Sequence, residues 1–239
     1  VVRTASHTLV FDAGPRLGAF NTGRTVVVPY LRTQGVERVD VFVVSHGDND
    51  HIGGVESVRR ALPVEKFLSS VPERVEGAAP CEAGQHWQWD GVEFQILNPP
   101  PEGTGKRNDQ SCVLHVRAPN GSLLLPADIE AKAERRLVAA QGERLRADVL
   151  VAPHHGSKTS STEAFIGAVR PDVVLFPVGY RNRFRHPHPA VVARYDTAGA
   201  RRLDSASAGA IELQLRAEGM SVSAWRARHR RYWHLRVDD

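Results

Sequence analysis

The stretch VDVFVVSHGDNDHIGG, residues 39–54, constrains this chain more than any other. A run rich in strand-forming valines ends abruptly, and His46, Asp48, Asp50 and His51 follow at once, so several side chains can converge on one side of a loop at a strand end. Converging nitrogen and carboxylate donors are what a metal site needs. A di-metal hydrolase requires about six or seven such ligands, a bridging carboxylate and an open position for a water whose pKa the ions lower. One hexapeptide cannot supply them all, so the remainder must come from other strand ends.

Candidates stand at comparable places. Asp128 follows SLLLPA, His154 and His155 follow ADVLVAP, His186 and His188 lie in RFRHPHP, and Asn108 and Asp109 precede SCVLHV. Each alone has a plain structural alternative as an ordinary loop acid or histidine; together they recur beside apolar strands. His115 sits among alternating strand neighbours, which favours a structural role. Phosphate handling has its own candidates. Ser157, Lys158, Thr159, Ser160 and Ser161 come just before TEAFIGAV, so a helix N-terminus could face an anion, with capping by Ser161 or Thr162 taking some of the hydroxyls. Arg181, Arg183 and Arg185 alternate near Tyr180 and Phe184, a spacing suited to backbone phosphates and stacking, or to a solvated charged loop.

The pattern along the chain places these groups. HTLVFDAG reads as a strand and turn, RTVVVPYLRTQG as a helix with a glycine stop, GGVESVRRAL as a helix, and GVEFQILNPP, SCVLHVRAP and SLLLPADIE as strands. Residues 72–84 read as a connection and residues 98–110 as a mobile loop. From residue 131 onward helix-like and strand-like segments alternate, so helices covering sheets are expected, with ligands on loops at strand ends. The chain reads as a single domain over 1–239. No stretch reaches the roughly 18 to 20 uninterrupted apolar residues of a membrane helix, so the chain itself is expected to be soluble; its oligomeric state is left open, a monomer being one reading. Cys81 and Cys112 lack a CxxC partner and read as buried free thiols, a single bridge being the alternative. Net charge is +4, yet Arg226, Arg228, Arg230, Arg231 and Arg236 are all near the C-terminus, and without them it is −1. The basic segment 225–236, with Trp225, Tyr232 and Trp233, reads either as a solvated edge or as a phosphate-tracking patch.

DAG at 12–14, HGDNDHIGG at 46–54 and the acid Asp128 resemble the ordered motifs of the metallo-β-lactamase fold superfamily. Within it, VVSHGDNDHIGG, NDQSCVL, ADIE, APHHGSKTSS and VGYRNRFRHPHP resemble the C-terminal domain of ComEC, the channel protein of bacterial DNA uptake. The resemblance implies an α/β fold, an αββα sandwich, whose first strand is truncated here because the family's usual DVGQGDA-like opening is absent. It carries the metal ligands onto His46, Asp48, Asp50, His51 and Asp128, with His155 ranked above His154 and His186 third for the last position. Asp48 stands where the wider superfamily has histidine. The superfamily's further histidine before the bridging acid has no clear match, and Asn108 or Asp109 occupies that stretch. Asp12 falls on a position that commonly supports a ligand.

The implied activity is a nuclease that hydrolyses single-stranded DNA through a water activated by two divalent cations, acting on the strand that is not transported. Roughly three or four carboxylates beside two or three imidazoles form a hard donor set, which points to manganese, with zinc or magnesium as alternatives. Asp50, Asp128 and Lys158 are the expected catalytic groups; Asn108, Asp109, Ser157, Lys158, Arg183 and His186 are expected to meet substrate. The implied parent is a polytopic inner-membrane channel with this part on its periplasmic face. Two other readings remain open: a stand-alone hydrolase of a small phosphodiester, lactone or thioester, and a DNA-binding module with a vestigial metal site. β-Lactam hydrolysis is not expected, because a fold does not assign a substrate.

Overall fold

A computed structural model describes residues 1–101, 106–229 and 231 of the chain, as two compact units, Val1–Leu114 and the residues from His115 onward. In the first unit come β1 (Val2–Arg3), β2 (Thr8–Phe11), β3 (Arg16–Leu17), β4 (Phe20–Asn21) and a widened helical turn, Gly23–Val27, that runs into α1 (Val28–Thr33). β5 (Val39–Val44), α2 (Asn49–Ile52), α3 (Val55–Ala61), β6 (Val64–Ser69), β7 (Ala78–Pro80), β8 (His86–Trp89) and β9 (Val92–Asn98) follow. The main sheet is mixed, in the order β1-β2-β5-β6-β7. β1 lies antiparallel to β2, and β2, β5, β6 and β7 run parallel.

β5 explains why the metal motif begins where it does. Its six residues are all buried, as expected for a central parallel strand covered on both faces. Val28 and Leu31 of α1 and Val55 and Val58 of α3 join Val10, Phe42, Val44 and Phe67 in one apolar cluster. Each such side chain taken out of water contributes about 1.5–3 kcal/mol, so the strand end is firmly held. The last glycine of the motif has a packing reason: a Cβ on Gly54 would overlap the Ala13 carbonyl and the backbone of Gly23.

The second unit begins within β10 (Val113–Ala118) and continues with β11 (Gly121–Leu125), α4 (Ala131–Gln141), β12 (Val149–Val151), α5 (Glu163–Val169), β13 (Val173–Phe176), α6 (Pro189–Thr197) and β14 (Arg201–Asp204). Its last elements are α7 (Ser205–Ala208), the antiparallel pair β15 (Ile211–Arg216) and β16 (Gly219–Ala224), and α8 (Trp225–Arg228). β11, β12, β13 and β14 are consecutive parallel neighbours. The helices between them bury residues at helical spacing: Ala133 and Leu137, Phe165 and Val169, Val191 and Tyr195.

Several expectations change. The connection 72–84 contains β7, and a short strand pair, β3 with β4, follows the DAG turn. Cys81 and Cys112 are not free thiols: both are buried, their Cα atoms are 6.0 Å apart, and they form a disulfide. Spacing along the chain could not reveal this, because the pairing is non-local. Of the expected mobile loop, residues 102–105 lie outside the described residues, while Asn108–Gln110 forms a compact helical turn. Of the basic C-terminal segment, Arg230, Tyr232, Trp233 and Arg236 lie outside the described residues. In its described part Trp225 is half exposed, and Arg228 pairs with Glu212 at 2.6 Å.

Candidate metal centre

In the first unit the strand end β5 delivers Ser45 and His46, both fully buried, and the chain then turns through Gly47 and Asp48 into the short helix α2, which carries Asp50 and His51. Asp12, at the end of the neighbouring strand β2, ties these together. Its Oδ1 accepts the Ser45 backbone N–H at 2.7 Å, and its Oδ2 accepts both the Ser45 hydroxyl at 2.7 Å and His51 Nδ1–H at 2.7 Å. Because the Ser45 hydrogen is directed at Asp12, its oxygen is left as an acceptor, and His46 Nδ1, 3.1 Å away, must be the donor there. Both imidazoles therefore carry their proton on Nδ1 and present a basic Nε2. This is the arrangement by which an outer carboxylate or hydroxyl orients a metal-ligating histidine.

Those Nε2 atoms point at carboxylates. His46 Nε2 is 3.7 Å from Asp48 Oδ2, and His51 Nε2 is 3.9 Å from Asp50 Oδ2. Such distances are long for hydrogen bonds. Two ligands of one tetrahedral ion, each bound at about 2.0–2.2 Å, stand roughly 3.3–3.6 Å apart. The separations are close to that spacing, and the donors are of the right chemistry, so these residues fit a divalent cation. Asp48 has a neighbour that no motif announces: Arg107 Nη2 lies 2.7 Å from its Oδ1. Asn108 and Asp109 follow in the adjoining turn, where Asp109 is buried and its carbonyl accepts from Asn98 Nδ2 at 3.1 Å. Cys112 N–H then donates to the Ser45 carbonyl at 2.8 Å, fixing this segment against the strand end.

In the second unit Asp128, buried, follows β11, and two histidines flank its carboxylate: His155 Nε2 is 3.6 Å from Oδ1 and His154 Nε2 is 3.7 Å from Oδ2. The spacing again matches ligands of a common ion. His154, His155 and Gly156 all have positive φ, at 50°, 55° and 84°. Gly156 is required, because a Cβ there would meet Pro187 and the Phe176 ring at 2.7 and 2.8 Å. The two histidines differ in one respect. His155 Nδ1–H donates to the Pro177 carbonyl at 3.0 Å, which leaves only Nε2 for a metal. His154 Nδ1 instead lies 3.3 Å from the Thr159 hydroxyl and 3.8 Å from Glu130, partners that do not force one tautomer.

His186 stands with its ring centroid 6.1 Å from that of His154, and its pKa is lowered by burial first and then by the neighbouring histidines. Asn182 holds it on both sides, donating to the His186 carbonyl at 2.7 Å and accepting its N–H at 2.9 Å. His188 is used as a helix cap, its Nδ1 accepting from Ala190 N–H at 3.2 Å. Arg183 and Lys158 are exposed, and Ser157 is buried, its hydroxyl 3.1 Å from that of Thr159.

The expected anion cradle at the start of α5 is overturned. Thr162 caps the helix, accepting from Phe165 N–H at 3.3 Å. The N–H groups of Ser161 and Thr162 are taken by the carboxylate of Glu134, which is fully buried in α4. Ser160 Oγ donates to the Ile129 carbonyl at 2.8 Å, and Ser161 Oγ accepts from Tyr195 at 3.0 Å. A negative side chain already fills the place of the phosphate. Burial, the main cause, raises the pKa of Glu134 and pushes that of the Tyr195 hydroxyl far up. His115 is fully buried in β10, and burial, followed by Arg117, pushes its pKa down to about 4.

Residues 1–179 match the family model described as the metallo-beta-lactamase superfamily. The chain is 40% identical to Competence protein ComA of Neisseria gonorrhoeae, over 98% of this chain and 33% of that protein. It is 32% identical to Recombination protein 2 of Haemophilus influenzae, over 96% of this chain and 29% of that protein. It thus spans about a third of the length of these curated relatives. Among solved structures, the metallo-beta-lactamase fold protein YhfI of Bacillus subtilis superposes with a TM-score of 0.52, covering 84% of this chain and 85% of that one at 10% identity, a likeness of fold.

Proposed function

We propose that this chain, which belongs to the metallo-beta-lactamase superfamily and resembles the ComEC-type domain of competence proteins, is a metal-dependent phosphodiesterase acting on single-stranded DNA. Superfamily membership indicates a metal-dependent hydrolase that binds divalent cations. The finer reading is a nuclease that degrades the strand left outside during DNA uptake, as part of a longer inner-membrane channel protein with this part on the periplasmic face. Among the described residues no helix is long and apolar enough to cross a membrane.

The observation that carries the reading is the repeated pairing of an imidazole with a carboxylate, in both units, at the spacing of shared metal ligands. We assign metal binding to His46, Asp48, Asp50 and His51 in the first unit and to Asp128, His155 and His154 in the second. The carboxylate-rich set favours manganese over zinc or magnesium. Bound divalent cations would lower the pKa of a water and neutralise charge gathering on a phosphodiester. The chain's own part is to hold the ligands in one tautomer through Asp12, Ser45 and the Pro177 carbonyl, and to offer cations at Arg183 and Lys158 to the phosphate backbone. A reading of the relatives' names as competence and recombination proteins supports DNA as the polymer.

Incubation of the chain with labelled single-stranded and duplex DNA in manganese, magnesium or zinc tests this. Hydrolysis of the single strand is expected, with Asp50→Ala losing it by at least about a thousandfold, roughly 4 kcal/mol of barrier, while keeping the fold. Undiminished turnover by a pure Asp50→Ala protein would sink the proposal.

A further inference from the structure

The loop between β13 and α6 alternates three arginines with other residues, among them Phe184. Arg181, Arg183 and Arg185 are all exposed, and none of their guanidinium groups donates a hydrogen bond or meets a carboxylate among the described residues. Two of them contact rings. Arg181 lies 5.3 Å from the centroid of Tyr180, and Arg183 lies 4.7 Å from that of Phe184. These rings are themselves 49% and 61% exposed, so their faces are open to a partner. Phe184 also stacks near-parallel on His186, at 5.8 Å and 16°.

The loop is held in this form. Asn182 bonds to Gly179 and twice to His186, and His188 N–H donates to the Gly156 carbonyl at 2.9 Å, tying the loop to the turn that carries His154 and His155. Arg181 and Arg185 adopt φ of 50° and 55°, a left-handed conformation that is unfavourable for a non-glycine residue. Beside the loop is a concavity of about 690 Å³. One acid lines it, Asp204, and its carboxylate is engaged by the N–H and hydroxyl of Ser207 at 2.8 and 2.9 Å. What remains is an uncompensated row of prepositioned cations interleaved with flat rings.

We propose that residues 178–187 form a seat for a single-stranded nucleic-acid segment, with Arg181, Arg183 and Arg185 meeting consecutive backbone phosphates and Tyr180 and Phe184 stacking on unpaired bases. The proposal rests on the reading of the chain as a DNA phosphodiesterase and adds how it selects the form of the strand. In a duplex the base faces are stacked on one another, so the rings gain nothing and only the phosphate contacts remain. In a single strand both kinds of contact are available.

The test is fluorescence anisotropy with a labelled oligodeoxythymidylate and a duplex of equal length, in chelator so that nothing is hydrolysed. The wild-type chain should bind the single strand more tightly. The combined substitution of Arg181, Arg183 and Arg185 by alanine should flatten the dependence of log affinity on log salt by about 2, at about 0.7 per phosphate contact. Tyr180→Ala with Phe184→Ala removes the stacking of two bases and should weaken single-strand binding by at least about 30-fold while leaving the salt dependence nearly unchanged. If that double variant does not fold, Phe184→Leu keeps apolar volume without a flat ring and should still lose at least fivefold, at the low end of about 1–3 kcal/mol per stacked base. Equal affinity for duplex, unaltered binding by folded variants, or capture by phosphatidylglycerol vesicles in place of the oligonucleotide would overturn it. Oligonucleotide binding without any hydrolysis in metal would defeat the functional reading and leave the seat standing.

Discussion

Asp12 has no direct part in ligation as assigned, yet it decides which nitrogen of His51 is basic. Three donors converge on its carboxylate, from Ser45 twice and from His51, and its backbone adopts a φ of 59° to make this possible. Asp12→Asn cannot accept from all three, so the His51 tautomer is released. Manganese affinity should fall about 10- to 100-fold with the fold retained, and calorimetric titration reads it directly. An unchanged affinity would remove Asp12 from the site. His115 yields a different prediction. Its pKa is near 4 in the folded chain against an ordinary 6.5, so between those values the unfolded chain takes up a proton that the folded chain refuses. This contribution to stability is intact above about pH 6.5 and lost as the pH falls towards 4, amounting to about 2 kcal/mol between pH 7 and pH 5. Urea unfolding of His115→Leu should show a loss over that interval smaller by about that amount; a loss equal to the wild type's would refute the assignment. The histidines and acids of the motif are readable as letters. The tautomers are not, because Ser45 and Pro177 act through a hydroxyl and a carbonyl that no ligand pattern includes.

Helix α5 shows what an element can hide. Its serine-rich approach has the look of an anion site, but Glu134, from a different helix, satisfies the two N–H groups that a phosphate would need. Glu134→Ala leaves a buried and a part-buried donor unpaired, at about 1–3 kcal/mol each, so urea unfolding should register a loss of about 2–6 kcal/mol. A loss below about 1 kcal/mol would mean that water replaces the carboxylate. The sequence could not show this contact, since Glu134 and Ser161 are 27 residues apart. Elements whose faces repeat over a full turn or more, such as α4, α6 and β5, are legible from their apolar spacing. β3, β4 and β7 are two or three residues long, too short to display a period.

Across the molecule, carboxylates are gathered in pairs at two strand ends. Asp48 and Asp50 share one loop, and Asp128 and Glu130 share another, so a cation relieves repulsion in either place. Calorimetry should find a higher Tm with manganese than with chelator, corresponding to about 2.7 kcal/mol when free metal exceeds Kd a hundredfold. A Tm unmoved by manganese, zinc and magnesium would argue against metal binding. The class of fold and the ligand-bearing strand ends can be followed from the sequence because each couples an apolar run to a polar break. The disulfide cannot, because it depends on which distant segments meet. The turn at His154, His155 and Gly156 has one more consequence. Two consecutive aromatic side chains on left-handed backbone are a poor choice for stability, and glycine or asparagine would sit there at less cost. Selection of variants for heat resistance alone would therefore be drawn to these positions and would gain robustness by discarding the histidines. A screen that improves this protein must carry metal binding as a second criterion, or it will evolve an inert scaffold.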